Sequence, residues 1–148
     1  MAQLQPYCAI EGNDDGLPVV FVHGMGVDHR SLMMLDKAFD GNDSIRRIYL
    51  DLPGFGRTPA LPEHACGLPE MADWLQTAID GLVGKAAPFA MVGNSMGGAL
   101  VREVLAREPR RVAGMVLIAP VVDPQHAGRH VAEHVVAQPN PKLTHSLP

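Results

Sequence analysis

The stretch Phe89–Gly98, with the sequence FAMVGNSMGG, decides the fold of this 148-residue chain. Its first four residues are apolar and predict a short buried strand, Phe89–Val92. The residues that follow predict a sharp turn with Ser95 at its tip. Such a turn is tolerated only when the neighbours two positions away are nearly without side chains, and Gly93 and Gly97 occupy those positions. The stretch therefore predicts a strand, a serine-bearing turn and the start of a helix.

A serine placed in this way is a candidate nucleophile. Its hydroxyl reacts only when a base removes the proton and nearby donors stabilise the negative charge that develops on the substrate. The helix expected over Met96–Arg107 supplies such donors, because its first N–H groups have no partner inside the helix and its dipole is positive at that end. The N–H of Met96 is the first of them. An ordinary serine that caps a helix is the alternative interpretation of Ser95.

The rest of the chain alternates between buried strands and helices. Continuous apolar runs with β-branched residues predict strands, and apolar residues that recur every three or four positions predict amphipathic helices. The predicted order is a strand at Leu17–Val22, a helix from Asp28 to about Phe39, a strand at Ile45–Leu50, a helix at Leu68–Val83 and a strand at Met115–Ala119 that Pro120 stops. This alternation predicts an α/β domain with a mostly parallel sheet, helices on both of its faces, and chemistry at the carboxyl ends of the strands.

Four segments carry a family resemblance. In chain order they are VVFVHGMG at 19–26, IYLDLPGFGRT at 48–58, VGNSMGG at 92–98 and VAGMVLIAP at 112–120. A lone GxSxG pattern is weak, but here it follows an apolar strand and is preceded by a His-Gly loop after an earlier strand. From about residue 7 to 123 the chain resembles the α/β-hydrolase superfamily, of the type with a serine nucleophile elbow.

The resemblance implies a role for each matching position. Ser95 would be the nucleophile of a hydrolase that acts on an ester, thioester or related acyl substrate through an acyl-enzyme. The N–H groups of Met25 and Met96 would form the oxyanion hole. His23 would brace its loop rather than act as the base, and Asp51 would hold the glycine turn that follows it. A serine at the elbow, in place of an aspartate, argues against the family's dehalogenases and epoxide hydrolases, and no cofactor is expected.

The resemblance covers the N-terminal half of such an enzyme and ends after the strand that follows the elbow helix. In this family the triad has the order Ser, acid, His, with the acid usually after the next strand and the histidine near the C-terminus. We therefore expect residues 1–123 to form the N-terminal part of the core, and residues 124–148 to form the start of a lid region or a disordered tail. The alternative is a truncated, non-catalytic protein that at most binds a ligand or partner.

Candidates for the remaining triad members lie near the end of the chain. Asp123 is a possible acid, because it follows the strand after the elbow helix, where some family members carry the acid. The histidines that come later are His126, His130, His134 and His145, and none of them is assigned as the base. The first three are spaced by four residues, so a helix would place them on one face, where two could bind zinc. Since no third ligand stands at a suitable spacing, no metal site is expected.

Composition and charge limit the partners of the chain. A formal net charge of −4 gives no field that would attract nucleic acid or an anionic membrane. The chain starts without a leader pattern and no apolar run approaches the roughly 20 residues needed to cross a bilayer, so we expect a soluble, cytoplasmic protein. Cys8 and Cys66 are far apart, with no second cysteine near either, which argues against a disulfide framework. The apolar edge of the strand at Met115–Ala119 predicts self-association.

Overall fold

The computed structural model describes residues 4–123, and its strands form one sheet. The strands are β1 Cys8–Gly12, β2 Leu17–Val22, β3 Ile45–Leu50, β4 Phe89–Asn94 and β5 Val112–Ile118. Their order in the sheet is β1-β3-β2-β4-β5. β1 runs antiparallel to β3, and all other neighbours are parallel. The predicted mostly parallel sheet is confirmed.

Three α-helices accompany the sheet in the described part of the chain: α1 Arg30–Met33, α2 Leu68–Val83 and α3 Met96–Arg107. Short 3-10 turns stand at Asp36–Phe39 and Glu63–Ala65. The predicted bounds of α2 and α3 are confirmed. None of the helices within residues 4–123 has the length and apolar character needed to span a membrane.

The helix predicted over residues 28–39 is wrong in extent. α1 is only about one turn long, and the chain then continues as the 3-10 turn Asp36–Phe39. Side chains of β3 hold this turn in place. The Asp36 carboxylate accepts hydrogen bonds from Arg47 Nε at 2.6 Å and from the Tyr49 hydroxyl at 2.8 Å. Contacts to the next strand therefore outweigh the local apolar periodicity that suggested one continuous helix.

The sequence pattern does not predict β1, which adds an antiparallel strand to the edge of the sheet. Its register pairs Ile10 with Ile48 of β3. Only the first three residues of β1, Cys8–Ile10, are apolar, and Ile10 is itself 40% exposed. So short a pattern does not distinguish a strand from a loop, and the strand is defined by pairing with a segment far along the chain.

Helices cover both faces of the sheet, as predicted. On one face α2 and α3 complete the main core. Its buried members include Val20, Ile48, Leu75, Met91 and Val101. On the other face α1 and the first 3-10 turn cover a smaller cluster. Its buried members are Val19, Phe21, Leu32, Tyr49 and Val92.

The carboxyl ends of the parallel strands meet at one edge of the sheet, and this edge positions the candidate site. The loop at 23–29 follows β2, the loop at 51–58 follows β3, and Ser95 follows β4 directly. These are the three places where the sequence predicts chemistry.

Candidate active site

Ser95 lies at a strained turn between β4 and α3. Its φ is 51° and its ψ is −116°, a conformation that residues with side chains rarely adopt. Gly97 has no room for a side chain, because a Cβ there would collide with the carbonyl oxygens of Val22 and His23. A Cβ at Gly93 would lie 2.7 Å from the carbonyl oxygen of Gly97. The predicted serine turn with a glycine on either side is confirmed.

A third glycine, Gly98, is also needed, although the sequence pattern does not single it out. A Cβ at Gly98 would lie 2.7 Å from Cβ of Pro120. Pro120 is held there because the segment after β5 is bonded to the elbow: Ser95 N–H donates to the Ile118 carbonyl and Val121 N–H donates to the Ser95 carbonyl, each at 3.0 Å. The elbow and the end of β5 therefore form one rigid unit.

The N-terminus of α3 leaves a free donor beside the serine. The Ser95 side chain makes no capping bond to the helix, so the alternative interpretation as an ordinary helix cap does not describe it. Met96 is the first helical residue, and its N–H has no acceptor inside the helix. This N–H and the helix dipole favour a negative charge just outside the helix.

Residues 23–29, which we call the Met25 loop, pass directly against the elbow. A Cβ at Gly24 would lie 3.1 Å from Ser95 Cβ and 3.0 Å from Asn94 Oδ1, so the two backbones are as close as a glycine allows. Met25 follows, with its side chain 72% exposed. Within residues 4–123 the N–H of Met25 has no hydrogen-bond acceptor. The fold thus brings the Met25 loop to the N-terminus of α3.

His23 is fully buried, and both of its ring nitrogens are bonded to backbone groups. Nε2 accepts from Leu52 N–H at 3.0 Å, which assigns the ring proton to Nδ1, where it is donated to the Gly24 carbonyl at 2.7 Å. Burial lowers the pKa of His23 below its ordinary value of 6.5, so the imidazole is neutral at neutral pH. With neither nitrogen free, His23 braces the Met25 loop and cannot take a proton from Ser95 in this arrangement.

Asp51 is also fully buried and holds two loops at once. Its Oδ2 accepts from Arg57 N–H at 2.9 Å, and its carboxylate packs so closely on Gly56 that a Cβ there would collide with it. These contacts fit the role predicted for Asp51 in the glycine turn. Its Oδ1 accepts both the backbone N–H and the Nδ1–H of His29, each at 2.8 Å. The sequence pattern does not point to His29, because its partner lies 22 residues further along the chain.

A sequence model described as the alpha/beta hydrolase fold matches residues 18–140. The chain belongs to the α/β-hydrolase family. The matched region includes the Met25 loop, Asp51 and the whole elbow, and the resemblance proposed from these motifs is confirmed.

Individual relatives agree with the family assignment. The chain is 34% identical over 108 residues to the dihydrolipoyllysine-residue acetyltransferase component of the acetoin cleaving system of Pseudomonas putida, over 73% of this chain and 28% of that protein. It is 31% identical over 112 residues to the pimeloyl-[acyl-carrier protein] methyl ester esterase of Legionella pneumophila strain Paris, over 74% of this chain and 40% of that protein. The crystal structure of an alpha/beta superfamily hydrolase from Oenococcus oeni PSU-1 shares the fold, with a TM-score of 0.76 and 24% identity over 97% of this chain and 54% of that chain. This α/β-hydrolase chain therefore spans between 28% and 54% of the length of these three relatives.

Three side chains of the α/β-hydrolase chain lie close enough together to contact a single cation. Potential ligand atoms of Asp28, His29 and Asp51 lie within 4.8 Å of one another. These groups already have partners. The Arg30 guanidinium donates to Asp28 and lowers the pKa of that carboxyl to about 2, and Asp51 accepts from His29 and Arg57. The group is a hydrogen-bonded network between two loops rather than an open set of metal ligands.

A general base for this α/β-hydrolase elbow is not assigned within residues 4–123. His23 and His29 are bonded as described, and His64 lies exposed in the second 3-10 turn. Asp123, the possible acid, is exposed beyond β5. The later histidines considered as bases or zinc ligands, His126, His130, His134 and His145, lie outside the described residues.

A groove of about 710 Å³ lies between α2 and α3. Its lining is largely apolar and includes Leu68, Ala72 and Leu100. Neither Ser95 nor any residue of the Met25 loop lines this groove, so it is not part of the candidate active site.

Proposed function

We propose that this chain carries the nucleophile of a serine hydrolase that acts on an ester, thioester or related acyl substrate. The observation that carries the proposal is the strained turn at Ser95. This turn leads into α3, whose Met96 N–H has no acceptor in the described part of the chain, and it packs against Gly24, the residue before Met25, whose N–H also has no acceptor there. A hydroxyl and unpaired donors at one point are what acyl transfer requires.

The proposed chemistry proceeds through an acyl-enzyme. A general base takes the hydroxyl proton while Ser95 Oγ bonds to the substrate carbonyl carbon, and the carbonyl electron pair moves onto oxygen. The N–H groups of Met25 and Met96 donate to that oxyanion, and loss of one such donor costs about 3 kcal/mol of barrier. The carbonyl re-forms, the leaving group departs with the proton held by the base, and water then releases the acid from Ser95.

The base in this proposal is a histidine outside the described residues. In the printed sequence the candidates are His126, His130, His134 and His145, and a histidine beyond this sequence is the other source. Asp123 is the possible acid that would orient it. Whichever histidine serves must lie within hydrogen-bond reach of Ser95 Oγ.

The relatives support an acyl substrate. One is named as a methyl ester esterase, and another as an acetyltransferase component. This chain spans 28% and 40% of the length of these two proteins, so the activity proposed here is that of a longer enzyme of which this chain carries the nucleophile. We expect a small-molecule acyl substrate, no bound cofactor, no nucleic-acid or membrane partner, and a cytoplasmic location.

A fluorophosphonate probe tests the proposal, because it reacts with activated serines. The wild-type chain is expected to form one adduct, located at Ser95 by mass spectrometry. Ser95→Ala is expected to lose the adduct and to lower hydrolysis of p-nitrophenyl acetate by about 10³-fold or more. Ser44→Ala is the matched control, since Ser44 lies in an exposed turn before β3 and its hydroxyl donates only to Asn42 Oδ1. A wild-type chain without an adduct, under conditions in which a longer relative reacts, would favour the non-catalytic alternative that at most binds a ligand or partner.

A further inference from the structure

The Met25 loop is fastened at both ends to residues 51–58, which we call the glycine loop. At its start, His23 Nε2 accepts from Leu52 N–H at 3.0 Å. At its end, His29 donates twice to Asp51 Oδ1, from its backbone N–H and from Nδ1–H, each at 2.8 Å. The residues that pass Ser95 lie between these two anchors.

Side-chain packing contributes little to holding the middle of the Met25 loop. Met25 and Val27 are 72% and 43% exposed. Gly26 has a φ of 78°, and a Cβ at this position would meet nothing within 4 Å. A glycine and two exposed side chains leave this segment with high conformational freedom unless its ends are fixed. The position of the Met25 N–H therefore depends on the anchors.

The anchor formed by His29 and Asp51, which we call the clamp, is rigid. The Asp51 side chain is fully buried and that of His29 is 11% exposed. The carboxylate is held from the other side by Arg57 N–H at 2.9 Å and by the backbone of Gly56. The Tyr7 ring packs against the His29 ring, with centroids 5.2 Å apart. A buried anchor with several partners restricts His29 to one orientation.

We propose that His29 and Asp51 are positioning residues that fix the Met25 N–H opposite Ser95. This inference rests on the proposed function, because it assigns the pair a purpose in stabilising the oxyanion. A donor of this kind acts only when it lies about 2.7 to 3.1 Å from the developing oxyanion. The bond forms in the transition state and not in the substrate complex, so a loosened loop lowers kcat and leaves KM nearly unchanged.

Two substitutions at His29 test the proposal. His29→Ala removes the Nδ1–H bond, whereas His29→Asn retains a side-chain N–H at an equivalent distance from the backbone. Esterase kinetics are measured per active site, with active sites counted by fluorophosphonate titration. His29→Ala is expected to lower kcat on the order of tenfold with KM within about twofold, since complete loss of a donor costs 10²- to 10³-fold. His29→Asn is expected to recover most of the rate, and His64→Ala, in an exposed turn, is expected to match the wild type.

Hydrogen exchange followed by mass spectrometry gives a readout that does not depend on catalysis. Peptides covering residues 29–33, where the His29 N–H donates to Asp51 and the N–H groups of Leu32 and Met33 donate to the His29 carbonyl, are expected to exchange faster in His29→Ala than in the wild type, while peptides from β4 and α3 stay unchanged. If exchange in residues 29–33 is the same in both proteins, the clamp is overturned whatever the kinetics show. A wild-type chain that does not react with fluorophosphonate while His29→Ala still loosens the loop would refute the proposed function and support the clamp. Equal losses of kcat in His29→Ala and His29→Asn would overturn the role of the Nδ1–H bond.

Discussion

Three glycines surround Ser95, and each is required by a different neighbour. Gly97 lies against the backbone at the end of β2, Gly93 lies against Gly97, and Gly98 lies against Pro120. The sequence predicts the first two because a serine turn needs them at a fixed spacing. The requirement at Gly98 could not be predicted, since Pro120 reaches it only through the pairing of β5 with β4.

The same distinction applies to the residues proposed to take part in catalysis. Ser95, Met25 and Met96 could be proposed from short motifs, because the motif itself defines the backbone around them. His29 could not, since its function depends on a hydrogen bond to Asp51, which stands on another strand end. Local patterns therefore reveal where chemistry is expected and miss the contacts that hold it in place.

Gly97→Ala is predicted to disrupt the elbow. Its methyl group would meet carbonyl oxygens of β2 and of His23, and backbone atoms in a sheet cannot move aside as a flexible side chain can. We expect the free energy of unfolding to fall by about 2 kcal/mol or more, the range for overpacking, and labelling of Ser95 by fluorophosphonate to be lost. Urea unfolding followed by circular dichroism measures the first effect.

Gly81→Ala is the matched control for this prediction. Gly81 lies in α2, and a Cβ there meets nothing within 4 Å. Alanine should stabilise the helix by about 0.5 to 1 kcal/mol. If Gly97→Ala were as stable and as reactive as the wild type, the close packing of the elbow on β2 would be contradicted.

At the scale of elements, the long helices α2 and α3 and the continuous apolar strands β2 and β3 were predictable, whereas the short elements α1 and β1 were not. The bounds of α2 and α3 follow from repeated apolar positions over several turns. α1 and β1 are each five residues or fewer; β1 is defined by its pairing with β3, and the 3-10 turn that follows α1 is held by bonds from β3 to Asp36. The turn at Asp36–Phe39 shows the cause most clearly, because its conformation follows from an ion pair with Arg47.

Asp36→Asn is predicted to destabilise the fold in a pH-dependent way. The hydrogen bonds from Arg47, and then from Tyr49, lower the pKa of Asp36 below its ordinary value of 3.8. The unfolded chain therefore takes up a proton at a higher pH than the folded chain does. The contribution of the ionised carboxylate to the free energy of unfolding is fully present above pH 3.8. It is lost as the pH falls through the lower pKa of the folded state. Near neutral pH we expect Asp36→Asn to lower the free energy of unfolding by about 2 kcal/mol, because Arg47 is left with a weaker partner.

Urea unfolding of both proteins across the acid range checks this dependence. The difference in free energy of unfolding between the wild type and Asp36→Asn should become smaller as the pH falls below 3.8. Asp40→Asn is the control, since Asp40 is exposed at the end of the same turn and should change stability by less than about 0.5 kcal/mol. A difference that stays constant at every pH would show that the ionised carboxylate is not what fixes the turn.

For the molecule as a whole, the two edges of the sheet differ in their apolar exposure. Within residues 4–123, β5 pairs only with β4. Val116 is 55% exposed and Leu117 is 36% exposed, and successive strand residues point to opposite faces, so both faces of this edge present apolar surface. Unpaired strand edges of this kind favour pairing with another chain. The self-association expected from the sequence thus remains our proposal, now with β5 as the contact.

Val116→Lys is predicted to suppress that association. A lysine on an edge strand disfavours pairing because its charge would have to be buried between two chains. In sedimentation velocity runs over a series of concentrations, the wild-type chain should show a weight-average sedimentation coefficient that rises with concentration, whereas Val116→Lys should stay near the monomer value. Ile10→Lys places the same charge on β1, the opposite edge, where Ile10 is 40% exposed, and should associate like the wild type. A wild-type chain that remains monomeric throughout would contradict self-association, and equal suppression by both substitutions would show that net charge rather than the β5 edge controls it.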